Sequence, residues 1–199
     1  MAGPIEPDLG DYEVLGELGR GGMGRVLLAR DTKLARRVAL KFLLPEGEAD
    51  ELSRLRFLRE ARAAVRLRSE HVARVLDVGT SEEGAPYIVM EYLEGQDLAE
   101  VLAERGRVPE AEAVSYILQA AEAVAEAHAL GIIHRDLKPA NLFLTQRRDG
   151  SPCVKVLDFG ISKTLEGNSL GGGLTQTTAM LGTPHYMSCL LYTSDAADE

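Results

Sequence analysis

Three short β-rich runs, YEVLGELG, RVLLARD and RRVALKFLL, open the patterned part of the chain after a loose leader over residues 1–10. A glycine cluster and the polar turn Asp31-Thr32-Lys33 separate them, which predicts strands joined by tight connections. From about Asp50 to Arg68 the spacing becomes helical. Leu55, Leu58, Ala61 and Val65 fall on one stripe, with Arg54, Arg59, Arg62 and Arg66 around the remainder as a solvated face. Two further strands are expected over Val72–Val78 and Pro86–Tyr92, across the turn Glu82-Glu83-Gly84. A short helix then spans Gln96 to Glu104 and ends at Gly106. A longer one has Pro109 near its first turn, Glu110 and Glu112 at the positive end of its dipole, and Gly131 just past its end. The buried face expected for the long helix is Val114, Ile117, Leu118, Ala121, Val124, Ala125 and His128.

Five strands with one inserted helix, followed by mostly helix, describe an α+β chain. It divides into a sheet lobe over residues 11–92 and a helical part over residues 93–188, joined near Glu91 to Gly95. The stretch Thr164 to Thr178 is glycine-rich and polar, a mobile loop by composition.

Composition narrows the class. At 199 residues and 45% hydrophobic, the chain can bury one large core or two small ones. Lys+Arg 22 against Asp+Glu 31 gives a formal charge of -9, which argues against nucleic-acid binding by phosphate neutralisation. No apolar run approaches the roughly 18 residues of a membrane span, and the N-terminus lacks the pattern of a signal peptide. Two cysteines, Cys153 and Cys189, make no disulfide framework, so a reducing cytoplasm is the expected compartment. The four histidines show no zinc-ligand spacing.

The candidate chemistry starts with Gly19-Arg20-Gly21-Gly22-Met23-Gly24-Arg25-Val26, which satisfies G-x-G-x-x-G-x-V. A P-loop would need Lys and then Ser or Thr after Gly24, where the chain has Arg25 and Val26. A dinucleotide fingerprint would need a helix directly after the glycines, where RVLLARD reads as a strand. What remains is a glycine-rich hairpin whose backbone N–H groups can approach nucleotide phosphates, or a merely flexible one. Val38-Ala39-Leu40-Lys41 places a lysine near the end of the third strand, and Glu60 lies on the helix that follows. Lys41 can hold α and β phosphates while Glu60 holds Lys41. Next comes His134-Arg135-Asp136-Leu137-Lys138-Pro139-Ala140-Asn141, which matches H-R-D-L-x-x-x-N, and then Asp158-Phe159-Gly160. Eight fixed positions in this order leave no room for coincidence.

On GRGGMGRV, VALK, REA, HRDLKPAN, DFG and GTPHYMS, the chain resembles the eukaryotic-like Ser/Thr protein kinases of bacteria from about Tyr12 to Ser188. The resemblance implies a two-lobe kinase fold: a five-stranded antiparallel lobe with one helix, and a helical lobe that is here incomplete. It also implies transfer of the γ-phosphoryl group of ATP, with Mg²⁺, to Ser/Thr hydroxyls of protein substrates. In this reading Asp136 accepts or orients the hydroxyl proton and Lys138 neutralises charge on the transferring group. Asn141 and Asp158 hold Mg²⁺. Gly19, Gly21, Gly22 and Gly24 cover the phosphates. Val26 and Ala39 roof the adenine and Phe143 floors it. The backbone of Glu91 and Leu93 binds the adenine edge, Met90 is the gatekeeper, and Asp97 lies near the ribose. Leu76, Ala64, Phe159 and His134 are expected to stack as a spine, which makes His134 structural. Thr183 marks Ser/Thr specificity. Arg135 implies regulation by a phosphate on Thr175, Thr177 or Thr178, with self-association for autophosphorylation in trans.

The resemblance breaks at Cys189. A Pro-Glu pair is expected at positions 189 and 190, and the chain instead runs CLLYTSDAADE to Glu199. These eleven residues read as the translation of a transposase-type sequencing adapter, so residues 189–199 are expected to be a non-native tail. The parent is then expected to continue into the rest of the helical lobe, and bacterial members of the family often carry a membrane span and a sensor domain downstream. The chain as it stands is expected to be inactive.

Overall fold

The computed structural model describes residues 9–21, 24–43, 57, 61, 64–82, 84–159 and 184–186. Strands β1 (Tyr12–Gly21), β2 (Gly24–Asp31), β3 (Arg36–Leu43), β4 (Val75–Thr80) and β5 (Pro86–Glu91) form one antiparallel sheet in the order β1-β2-β3-β5-β4. The period of two in β3 and β5 decides what each face carries. Val38, Leu40, Phe42, Tyr87 and Val89 enter one buried cluster with Leu9, Leu27 and Ala29. Ile88 and Met90 point the other way, into a second cluster with Phe57, Ala61, Ala64, Ala73 and Val75. Phe57, Ala61 and Ala64 have helical backbone, as the spacing of this segment predicts. The stripe differs, however: Phe57, Ala61 and Ala64 are buried and Val65 is exposed, while Leu55 and Leu58 lie outside the described residues.

The fourth strand begins three residues later than expected. Residues 71–73 bridge the two lobes instead: Val72 pairs in parallel with Val156, while Ala73 packs in the cluster of Ile88 and Met90. The Val156 N–H donates to His71 O at 2.8 Å, and the Ala73 N–H to Val156 O at 3.0 Å.

A second, three-stranded sheet has the order β6-β7-β8, from β6 (Gln96–Asp97), β7 (Leu142–Gln146) and β8 (Pro152–Val156). Sequence reasoning passes over β7 and β8 because LFLTQ and PCVKV are too short to show a period. The Asp149-Gly150 pair between them is the missed hairpin signal. There Asp149 Oδ1 accepts from the Ser151 N–H at 2.9 Å.

Helix α1 (Leu98–Arg105) starts on Asp97, whose carboxylate accepts from the Ala99 and Glu100 N–H groups while Glu100 reaches back to the Asp97 N–H. It ends at Gly106, φ 74°, as expected. Helix α2 (Glu110–Ala129) begins after Pro109, with Gly131 beyond its end at φ 73°.

The buried face of α2 is not the one expected. Tyr116, Ala120, Ala123 and Ala127 face the core, and Val124 packs against it in part. Val114, Ile117 and Leu118 are 59%, 58% and 66% exposed, and Ala121, Ala125 and His128 are exposed as well. Alanines allow the helix to lie close on β8, whose Val154 and Val156 share the cluster. The large aliphatics are turned outward. No helix among the described residues is long and apolar enough to cross a membrane.

Candidate active site

The chain leaves α2 and enters the loop Ile133 to Lys138 before a 3₁₀ turn at Pro139–Asn141. His134 is buried at the base of this loop. Its Nε2 donates to Leu157 O at 2.8 Å, and its Nδ1 accepts the Asp136 N–H at 3.3 Å. Both ring nitrogens are thus satisfied in a single neutral tautomer. Burial pushes the imidazole below the usual histidine value. The ring also meets Phe159 edge-on at 5.0 Å between centroids.

Asp136 and Lys138 are brought together: Lys138 Nζ lies 3.1 Å from Asp136 Oδ2. Asn141 Nδ2 donates to Asp136 O at 2.8 Å, and the Leu157 N–H donates to Asn141 O at 2.9 Å. Asp136, Asn141 and the segment before Asp158 are therefore tied into one unit. Arg135 and Asp158 both take left-handed backbone, φ 65° and 58°. Non-glycine residues rarely adopt this conformation, and when they do it is commonly at a functional site.

From the sheet lobe, Lys41 is buried on β3 and its Nζ lies 2.6 Å from Asp158 Oδ1. This pair links the two lobes across the cleft. The register sets Val26 opposite Lys41, Ala39 opposite Met90, and Gly19 opposite Val26. Gly21 pairs with Gly24 at the hairpin. On the other side, Phe143 pairs with Asp97, whose carboxylate is used to cap α1. Glu91 Oε1 accepts from the Arg74 N–H and from Lys155 Nζ, each at 2.8 Å. Leu93 packs beside the Met90 cluster.

Of the expected spine, Ala64 and Phe159 are buried in separate clusters, with His134 against Phe159. Leu76 is a correction. It packs on the far side of the sheet, while Val75 joins Ala64. A bulge between Val75 and Asp77 shifts the strand here, and a step of one residue changes the face. Gly22, Glu60, Thr175, Thr177, Thr178 and Thr183 lie outside the described residues, as does the tail from Cys189. Lys155, Arg37 and Thr145, which hold the linker between the lobes, were not singled out from sequence because they sit in no motif.

The donor set is compatible with Mg²⁺. Asp158 and Asn141 offer hard oxygen atoms, and this ion is commonly held by one or two protein oxygens plus phosphate.

The protein kinase domain family matches residues 12–194. Serine/threonine-protein kinase pkn3 of Myxococcus xanthus is 44% identical over 177 residues, 89% of this chain and 32% of that protein. PknB of Mycobacterium leprae is 39% identical over 196 residues, 96% of this chain and 30% of that protein. The crystal structure of the Mycobacterium tuberculosis PknI kinase domain aligns with TM-score 0.68 at 35% identity, covering 81% of this chain and 64% of that one. The chain thus spans about a third of the curated relatives it matches.

Proposed function

The chain belongs to the protein kinase domain family, and from that premise we propose that its parent transfers the γ-phosphoryl group of ATP to Ser/Thr hydroxyls of proteins in the bacterial cytoplasm. The observation that carries this reading is the convergence of Lys41, Asp136, Lys138, Asn141 and Asp158 from two lobes on one cleft. Phosphoryl transfer asks a protein chiefly for positioning and charge stabilisation, and these side chains supply both.

Asp136 orients the acceptor hydroxyl and takes its proton. Lys138, paired with that carboxylate, shields the charge that builds on the transferring oxygens. Lys41 holds the α and β phosphates, and Glu60 is assigned as its support. Asp158 and Asn141 hold Mg²⁺, which when bound neutralises the phosphate oxygens. Gly19, Gly21, Gly22 and Gly24 cover the phosphates. Val26, Ala39 and Phe143 enclose the adenine, the Glu91 and Leu93 backbone meets its edge, and Asp97 lies near the ribose. Thr183 selects Ser/Thr acceptors. Arg135 grips a phosphate placed on Thr175, Thr177 or Thr178 by autophosphorylation between two copies.

The test is phosphate transfer from Mg-ATP to protein, in a polypeptide where this chain continues through a complete kinase domain. Asp136→Asn is expected to cost at least about 10²–10⁴ in turnover with nucleotide affinity nearly intact. Phosphoamino-acid analysis should give phosphoserine and phosphothreonine. Unchanged turnover, or a product dominated by phosphotyrosine, would reject the reading. The 199-residue chain by itself is proposed to be inactive, because the loop carrying Asp136 follows a helix whose Val114, Ile117 and Leu118 are open to solvent. Asp158-dependent turnover by that chain would overturn this part.

A further inference from the structure

Glu91 ends β5, where the chain leaves the sheet lobe for the linker to β6. Its carboxylate is held by Lys155 from β8, three residues before Asp158. Lys155 does more than pair with Glu91. Its ammonium also donates to Glu70 O at 2.9 Å, with Val72 O at 3.4 Å. Three donors therefore meet three oxygens, on a side chain only 16% exposed. Lys155 further stands opposite Phe143 in the β7–β8 register. One cation thus joins the linker, the 70–72 segment and the strand pair under the proposed adenine site. From the other side, Arg37 of β3 pairs with Glu94 and lies 4.7 Å over the Tyr92 ring. Thr145 donates to Glu94 O at 2.7 Å.

We propose that Lys155 is a positioning residue for the nucleotide: it fixes the Glu91 carboxylate and, through it, the orientation of the linker backbone that meets the adenine. This rests on the phosphotransfer reading of the cleft. Removing a largely enclosed ammonium takes the donor from three oxygens at once, so the linker loses its anchor on β8 while retaining the Arg74 N–H on Glu91, the Arg37 pair and Thr145. The effect belongs to the base end of the ligand and not to its phosphates, which separates Lys155 from Lys41.

The test uses the full chain with adenosine and Mg-ATP as competitors of a fluorescent adenine nucleotide, beside amide exchange of residues 91–95 without any ligand. In Lys155→Met both affinities should fall by about tenfold and in the same ratio, and the linker amides should exchange about tenfold faster. Lys155→Arg, which keeps a cation against Glu91, should restore both. Equal affinities in Lys155→Met, loss confined to Mg-ATP, or unchanged exchange would each overturn the proposal. Should Lys155→Met fail to fold, Glu91→Ala removes the same contact from the other end and is read in its place. A wild-type chain that binds neither adenosine nor Mg-ATP would count against the phosphotransfer reading, while linker exchange would still decide the role of Lys155.

Discussion

In the five-stranded sheet, Tyr87 and Val89 enter one buried cluster and Ile88 and Met90 another, so β5 is enclosed from both sides. Helix α2 is enclosed from one. Its Tyr116, Ala120, Ala123 and Ala127 pack toward β8, while Val114, Ile117 and Leu118 stay more than half exposed on the opposite face. Both segments are rich in apolar residues, yet β5 lies between two buried clusters while α2 leaves its largest aliphatics in water. The lesson is that the two halves of the cleft do not rest on equal support. Lys41 stands on the closed half, and Asp136 and Asn141 stand just after the open helix.

Substitution at matched positions should expose that difference first. Ile88→Ala removes a fully buried side chain and should cost about 2–5 kcal/mol in chemical denaturation. Leu118→Ala, at 66% exposure, should stay within about 0.5 kcal/mol. Similar losses at both sites would break the contrast. A smaller effect is expected where the halves are stapled together. Glu126 of α2 accepts from the Arg68 and Ser69 N–H groups at 2.8 and 2.7 Å. Glu126→Ala should cost about 1–2 kcal/mol and speed amide exchange at residues 68–74, since charged acceptors give the stronger bonds.

His134 sharpens the comparison through pH. Its imidazole is held below the ordinary value by burial, so the unfolded chain binds the proton more readily. Stability should therefore be full above the ordinary histidine value and fall as pH drops toward the lowered folded value. Protonation would also turn Nδ1 from acceptor to donor against the Asp136 N–H. His134→Phe should flatten this slope in thermal unfolding between pH 7 and pH 5, at a lower plateau. The least effect is expected at the outer sheet edge, where Arg20 and Glu17 form an exposed ion pair. Arg20→Ala should leave the unfolding midpoint within measurement error.

Much of this arrangement is legible in the residues. The motifs VALK, HRDLKPAN and DFG contain the side chains that meet at the cleft, Lys41, Asp136, Lys138, Asn141 and Asp158, and Gly106 and Gly131 end their helices where expected. The rest depends on partners distant in sequence. The buried face of α2 is not legible because apolar spacing fits two stripes on opposite sides of the helix, and close approach to β8 selects the alanine one. Val75 replaced Leu76 through a bulge that no local pattern announces. Lys155 carries no motif, and its importance comes from Glu91, Glu70 and Val72 meeting it in space.

The contrast between the closed sheet lobe and the open α2 face is tested most directly by sedimentation velocity of the 199-residue chain and of the double variant Ile117→Lys with Leu118→Glu. Exposed aliphatics in one patch favour association. The wild-type chain should form concentration-dependent assemblies, and the variant should sediment as a monomer with its unfolding midpoint preserved. A monomeric wild type, or a variant that unfolds because those two side chains were supporting the core, would contradict the account.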